Sequence, residues 1–386
     1  MTAATRGAKP SICFVGPRNL PALAPEFRHL KLGGAELQQT LLAKGLMRRG
    51  YPVSMIVADL GQPEGATWDG VTTHKAYAPN AGLPGLRFLH PRWTSIRAAA
   101  RRADADIYYV SGGGALIGQV AHFARARGKK VVFRIAHDKD CQPNELRERL
   151  PQWRARVLYQ YGLRHANLIL AQSSQQHVDL KNHYGLESVV IPSLVESTGA
   201  PLRFGERSPH ILWVSNLRAF KRPDRALDLA RQLPSVRLEM VGGPLPGARE
   251  YFEEIRAAAS KLPNVVFRGA RSYDEVNSLM STARVFINTS ESEGFPNTYM
   301  QAWIRGTPVV AFFDPDGLIR REGLGMAVST IEEMQTAVQG LLENEKAWNT
   351  VSSCCRAYAN QRHGEGALDA YADAFDSLVS TDKCAA

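Results

Sequence analysis

SICFVGPRNL PALAPEFRHL KLGGAELQQT LLAKGLMRRG YPVSMIVADL, residues 11–60, decides the fold class. Ser11–Val15 is a short apolar run that stops at Gly16–Pro17. Gly34–Arg49 sets Leu37, Leu41, Leu42 and Leu46 on one face at helical spacing, and Gly50 supplies its stop. Val53–Ala58 is a second apolar run. Strand, helix, strand, with no polar face on the strands, predicts a parallel sheet covered on both sides.

Outward from that unit the rhythm continues. Ile107–Val110, Lys130–Ile135, Asn167–Ala171 and Ser188–Ile191 read as further strands. It restarts with Ile211–Ser215, Arg237–Val241, Asn264–Phe267, Ala283–Asn288 and Pro308–Phe312. These alternate with helical stretches at Asp224–Gln232, Ala248–Lys261, Ser272–Ser281 and Asn297–Arg305. The two series predict two Rossmann-like, doubly wound α/β domains, residues 1–195 and 196–365, joined near Pro192–Pro209. After Ile331 three helical patterns follow with no strand between them. The last, carrying Ala367, Tyr371, Ala374, Phe375 and Leu378, has no sheet of its own, so 366–386 is expected to return to the first domain.

Composition agrees with a globular chain of two domains: 386 residues, 44% hydrophobic and 22% charged. No apolar run reaches the roughly 18 residues of a spanning helix. No secretory signal is legible near Met1–Pro10, so a cytoplasmic location is expected. The five cysteines form no CxxC or Cys/His cluster, which supports neither a disulfide framework nor a zinc site. Net charge is +10. Its basic residues come in short groups (Arg97, Arg101 and Arg102; Arg125, Arg127, Lys129 and Lys130), without a pattern that reads nucleic acid. A peripheral contact with an anionic membrane surface and an evenly solvated basic face are both compatible with them.

Open α/β sheets bind ligands beyond the carboxyl ends of their strands, so the strand exits carry the candidates. Gly33–Gly34–Ala35–Glu36 opens the first long helix and either receives an anion on bare amides or makes a tight helix start. Ala136–His137–Asp138–Lys139–Asp140 follows a buried strand. Four ionisable residues there are not expected in a core and make either a solvated loop or a site that polarises hydroxyls. Arg218, Lys221 and Arg222 crowd one turn before Pro223–Asp224 and suit a diphosphate or a solvated basic turn. Gly242–Gly243 follows another strand. Thr289–Asn297 brings Glu293, Gly294, Phe295, Pro296 and Asn297 to a helix start, where a carboxylate can accept sugar hydroxyls and amides can face phosphate; a plain capped helix is the alternative.

Gly33–Gly34–Ala35–Glu36, Lys221 after the first strand of the second half, and Glu293–Gly294–Phe295–Pro296 leading to Gly306–Thr307–Pro308–Val309–Val310 together resemble the family 4 glycosyltransferases of the GT-B fold. The resemblance covers almost the whole chain. It implies two domains facing a cleft, an acceptor-side first domain, a second domain that binds the nucleotide sugar, and a C-terminal helix crossing back to the first. It implies retaining, metal-independent transfer of a sugar from a nucleotide-diphosphate donor, UDP- or GDP-linked, to a glycan or lipid-linked acceptor, with no further cofactor. Glu293 would meet the donor sugar, Lys221 the leaving diphosphate, and His137 and Asp138 the donor sugar and the acceptor. Gly33, Gly34, Gly243 and the Gly294–Asn297 amides would line the donor.

Two positions depart from the family pattern. The usual second glutamate is Gln301, and the usual arginine five residues before the lysine is Asn216; Arg218 is expected to replace that cation. The Gln form, with EGFPNT and KRP, is similar to polysaccharide-building members. A scaffold that binds a sugar nucleotide or glycan without turnover is the alternative reading. An epimerase is a third, and a phosphorylase lacks support for its pyridoxal phosphate lysine.

Overall fold

The computed structural model describes residues 9–383 apart from 31–32, 197–198 and 245–246. The chain divides into two compact units, one running to Leu194 and resuming at Gly366, the other spanning Val195–Glu365.

The first unit is built on eight strands: β1 (Ile12–Val15), β2 (Val53–Val57), β3 (Thr67–Trp68), β4 (Val71–Lys75), β5 (Ile107–Ser111), β6 (Lys130–Arg134), β7 (Leu168–Ala171) and β8 (Val189–Val190). Their order is β3-β4-β2-β1-β5-β6-β7-β8, parallel throughout except the β3–β4 pair. In β1 all four residues are buried: Ile12 and Phe14 face one core, Cys13 and Val15 the other. That two-sided burial is why the strand reads as an unbroken apolar run. β3 and β4 escape the sequence reading because Thr67–Trp68 is two residues long and β4 is the polar run Val-Thr-Thr-His-Lys.

The second sheet contains β9 (Ser208–Val214), β10 (Arg237–Val241), β11 (Val265–Gly269), β12 (Ala283–Asn288), β13 (Val309–Ala311) and β14 (Gly325–Ala327). All neighbours are parallel, in the order β11-β10-β9-β12-β13-β14. Chain order reverses between β9 and β12, so the exits of these two strands flank the switch point where such sheets take ligands. In the first sheet the reversal lies between β1 and β5, with β6 beside β5.

The terminal helix Glu365–Lys383 packs on the first unit, as its apolar stripe predicts. Ala367, Leu368, Tyr371 and Phe375 enter the core containing Ile12, Phe14 and Leu46. The Phe375 ring lies 6.2 Å from Tyr109, and the buried Arg134 guanidinium stands 5.8 Å from the Tyr371 ring while donating to Ser193 Oγ at 2.7 Å.

Candidate functional site

At the switch point of the second sheet two loops are sewn together. Trp213, in β9, donates its indole N–H to Thr289 Oγ1 at 2.8 Å, and Thr289 Oγ1 donates to the Lys221 carbonyl at 2.8 Å. The Glu291 amide donates to the Phe220 carbonyl at 2.9 Å. These bonds hold the turn after β9 against the loop after β12, and they set Lys221 Nζ in an ion pair with Glu293 Oε2. Both side chains are largely enclosed, 14% and 12% exposed. Glu293 Oε1 also accepts from Ser290 Oγ at 2.7 Å. Burial pushes the Lys221 ammonium below its ordinary pKa; Glu293 opposes that shift and nearby Arg218 adds to it. A partly desolvated cation beside a carboxylate, at a strand exit, can exchange that carboxylate for a phosphate.

The three cations of this turn do not share one task. Arg222 lies in the left-handed region (φ 49°) and is committed to Asp224, with Nε 3.0 Å from both carboxylate oxygens, and to Glu291 at 2.8 Å. Arg218 is exposed and stands 5.8 Å from the Phe220 ring. Asn216, at the position where the family pattern has arginine, is exposed as well.

Beyond Glu293, Gly294 and Pro296 are buried, and Phe295 packs 5.3 Å from the His363 ring and 6.3 Å from Trp303. That aromatic anchor fixes the entry to the helix Asn297–Ile304, whose N-terminus has no side-chain cap. Gln301, 6% exposed, donates its amide to Asn277 Oδ1 at 3.1 Å. Gly243 is held by packing: an added Cβ would lie 2.9 Å from Ala270 Cβ, and its carbonyl accepts from the Leu217 amide at 3.3 Å.

The first unit carries a second group of candidates. Gly33 caps the helix Gly34–Arg48, and an added Cβ would meet Glu36 Oε2 at 2.1 Å. The first turn thus has its own anion: Glu36, 8% exposed, folds back on it and pairs with Arg18 at 2.7 Å. After β6, His137 caps the short turn Asp138–Cys141, its Nδ1 accepting from the Lys139 amide at 3.2 Å. Asp138 accepts from the Gln176 amide group at 2.8 Å.

The expectation that this loop's ionisable residues avoid the core fails at Asp140, which is wholly buried. It is tolerated there because Arg149 pairs with it and the amides of His137, Ala136 and Gly113 donate to it; burial still holds its pKa above the ordinary value. Tyr159 adds a 3.0 Å bond to its carbonyl. Asp140 therefore ties the β5 exit to the β6 exit and orients His137. In the sequence it is one more acid in a charged run, and only Arg149, nine residues on, hints at its partner. Among the described residues no group of three or more His, Cys, Asp and Glu is placed to hold a metal ion.

The family described as Glycosyltransferase Family 4 matches residues 32–198, and the family described as Glycosyl transferases group 1 matches residues 208–344. Between them they take in most of the chain. Among solved structures, Anabaena HepE in complex with UDP and glucose is similar at 18% identity and TM-score 0.70, covering 98% of this chain and 100% of that one. Sucrose-phosphate synthase from Thermosynechococcus elongatus is similar at 16% identity and TM-score 0.74, with the same coverage. The catalytic domain of starch synthase IV from Arabidopsis thaliana, bound to ADP and acarbose, is similar at 13% identity and TM-score 0.70, covering 97% and 100%. No curated protein sequence matches the chain.

Proposed function

We propose that this chain, which belongs to the family 4 glycosyltransferases of the GT-B fold, moves a sugar with retained configuration from a nucleoside-diphosphate sugar to a hydroxyl of a glycan or lipid-linked acceptor. The observation that carries the reading is the Lys221–Glu293 ion pair at the switch point of the second sheet. Transfer breaks the bond between the anomeric carbon and the diphosphate oxygen and makes one from that carbon to the acceptor oxygen. Negative charge then grows on the leaving diphosphate. Lys221 turns from Glu293 to the phosphates and Arg218 joins it, so the charge is met by side chains without a metal ion. Glu293, released from the lysine, accepts hydroxyls of the donor sugar.

The N-terminus of Asn297–Ile304 and the buried turn Gly294–Pro296 cradle the donor, with Gln301 toward the ribose and Gly243 lining the floor. In the first unit Asp138 and His137 bind the reacting sugar and the acceptor, and Gly33–Gly34 allows close approach of its backbone. The acceptor's proton passes to the departing phosphate oxygen. UDP- or GDP-linked sugars are the proposed donors, in the cytoplasm and at the membrane periphery.

Turnover of a labelled nucleotide sugar with and without acceptor tests this. Transfer to acceptor, unaffected by a chelator, is expected; release of sugar to neither water nor acceptor from any UDP- or GDP-sugar would refute it. One observation favours a binding scaffold instead: the Gln301 amide is already engaged by Asn277. That reading predicts nucleotide-sugar binding without product in the same assay.

A further inference from the structure

Half of the exposed large hydrophobic side chains among the described residues come from two short stretches of the first unit. Leu83, Leu86 and Leu89 are 70%, 58% and 57% exposed; Trp153 and Val157 are 65% and 53% exposed. Neither set is scattered. Helical-turn bonds run from Leu83 to His90, with the Leu86 and Arg87 amides on the Leu83 carbonyl and the Leu89 and His90 amides on that of Leu86. At three-residue spacing the leucines therefore share one side. Trp153 and Val157 are four apart on the helix Trp153–His165 and share a face too. The two ridges adjoin, because the Arg154 guanidinium lies 5.8 Å from the Phe88 ring, and Phe88 packs 5.7 Å from Trp93. A groove lined by Pro143, Arg147, Trp153 and Val157 runs along the second ridge.

The charge around these ridges is mostly positive. From Gly70 to Ala103 the chain has no Asp or Glu, while Arg87, Arg92 and Arg97 flank the leucines. From Arg149 to Val178 it again has none, while Arg154 and Arg156 flank Trp153 and Val157. Of the acids on the neighbouring helix Pro143–Arg149, Glu145 is paired with Lys139 at 2.7 Å, and Glu148 is exposed. Exposed leucine and tryptophan tips ringed by arginine match a bilayer interface, where apolar tips enter the acyl boundary, tryptophan sits at headgroup depth and each cation gains from anionic lipid.

We propose that Leu83, Leu86, Leu89, Trp153 and Val157, with Arg87, Arg92 and Arg154, form the surface by which this protein docks on an anionic lipid bilayer. The proposal deepens the reading of a transferase with a lipid-linked acceptor and rests on it for its purpose. Of the basic groups legible in the sequence, Arg102 is paired with Glu64 and Lys129 with Asp104, while Arg97 lies beside the leucine ridge.

The test is sedimentation of the full chain with vesicles of phosphatidylcholine alone and of phosphatidylcholine with phosphatidylglycerol in equal parts, without substrate. Wild type is expected to bind the anionic vesicles and to leave them as salt rises. The triple variant Leu83→Ser/Leu86→Ser/Leu89→Ser is expected to lose partitioning by on the order of tenfold or more. Arg92→Glu/Arg154→Glu should lose the preference for anionic lipid. All these side chains are exposed, so circular dichroism and thermal melting should match wild type. Quenching by brominated lipid that disappears in Trp153→Phe would place that ring at the interface. Wild type that ignores anionic vesicles at low salt, or a leucine variant that binds as well as wild type, overturns the proposal. So does vesicle-free self-association that the leucine variant abolishes, which would assign the face to a second copy. Nucleotide-sugar turnover on a soluble acceptor, measured in the same variants, stays at the wild-type level whichever way the vesicle result falls; its absence in wild type would count against the transferase reading instead.

Discussion

Lys221 and Glu293 are each enclosed, and each is the other's partner. Removing either leaves an uncompensated group at the place where the diphosphate would bind. Lys221→Ala is expected to lower kcat/KM by on the order of 10²–10³, the usual effect of losing one preorganised group on developing charge. Arg218→Ala should cost a comparable factor if its guanidinium swings from Phe220 to the phosphates; an unchanged rate there, with a damaged Asn216→Ala, would reverse that assignment. Glu293→Gln should keep the fold and lose most transfer.

The pH profile follows from the Lys221 shift. If the Lys221 ammonium meets the leaving diphosphate, its burial-lowered pKa should make kcat/KM fall on the alkaline side sooner than an ordinary lysine would. Lys221→Arg should move that limb to higher pH, because a guanidinium does not deprotonate in this range. His137→Ala and Asp138→Ala are expected to lower kcat by about 10²-fold or more while nucleotide affinity holds. Asp140→Asn differs in kind: it weakens the bonds that the His137, Ala136 and Gly113 amides give this buried side chain, while Arg149 stays partly hydrated, so it should cost about 1–3 kcal/mol in chemical denaturation.

At the scale of elements, the terminal helix is the piece whose position sequence periodicity predicts and packing fixes. Phe375 is fully buried beside Tyr109, so Phe375→Ala should destabilise the first unit by about 3–5 kcal/mol, read as an earlier denaturant midpoint. β1 and β12 are legible because they are buried on both faces and their apolar runs have no other explanation, while β8 is legible from its β-branched residues although Val189 and Val190 are exposed. β4 was not legible, because a polar strand near a sheet edge has no apolar pattern to betray it. β14 is not legible because Gly325–Met326–Ala327 has no β-branched or aromatic residue, whereas the equally short β13 has Val309 and Val310.

For the whole molecule, the two units each carry their own sheet and cores, so unfolding need not be a single transition. A nucleotide sugar that binds the second unit should raise the melting temperature of that unit first. At 100-fold over its Kd a ligand adds about 2.7 kcal/mol, which a thermal-shift panel of UDP-, GDP-, ADP- and dTDP-sugars would resolve. The panel names the donor; stabilisation by none of them would remove nucleotide-sugar binding from the account.

The sequence by itself determined the parallel α/β class, the restart of the pattern in the second half and the return of the last helix, because each follows from local periodicity and from apolar faces that must be covered. It also marked the strand exits, since Gly, Pro and clustered charge interrupt those patterns at fixed places. Which exits meet was decided only by strand order. Lys221 and Glu293 are 72 positions apart in the numbering and become partners because β9 and β12 are neighbours in the sheet. The same holds for what a charge does once placed. Arg222 looks like Lys221 in sequence yet is committed to Asp224, and Asp140 looks like Asp138 yet is core, because pairing and desolvation depend on neighbours supplied from distant segments.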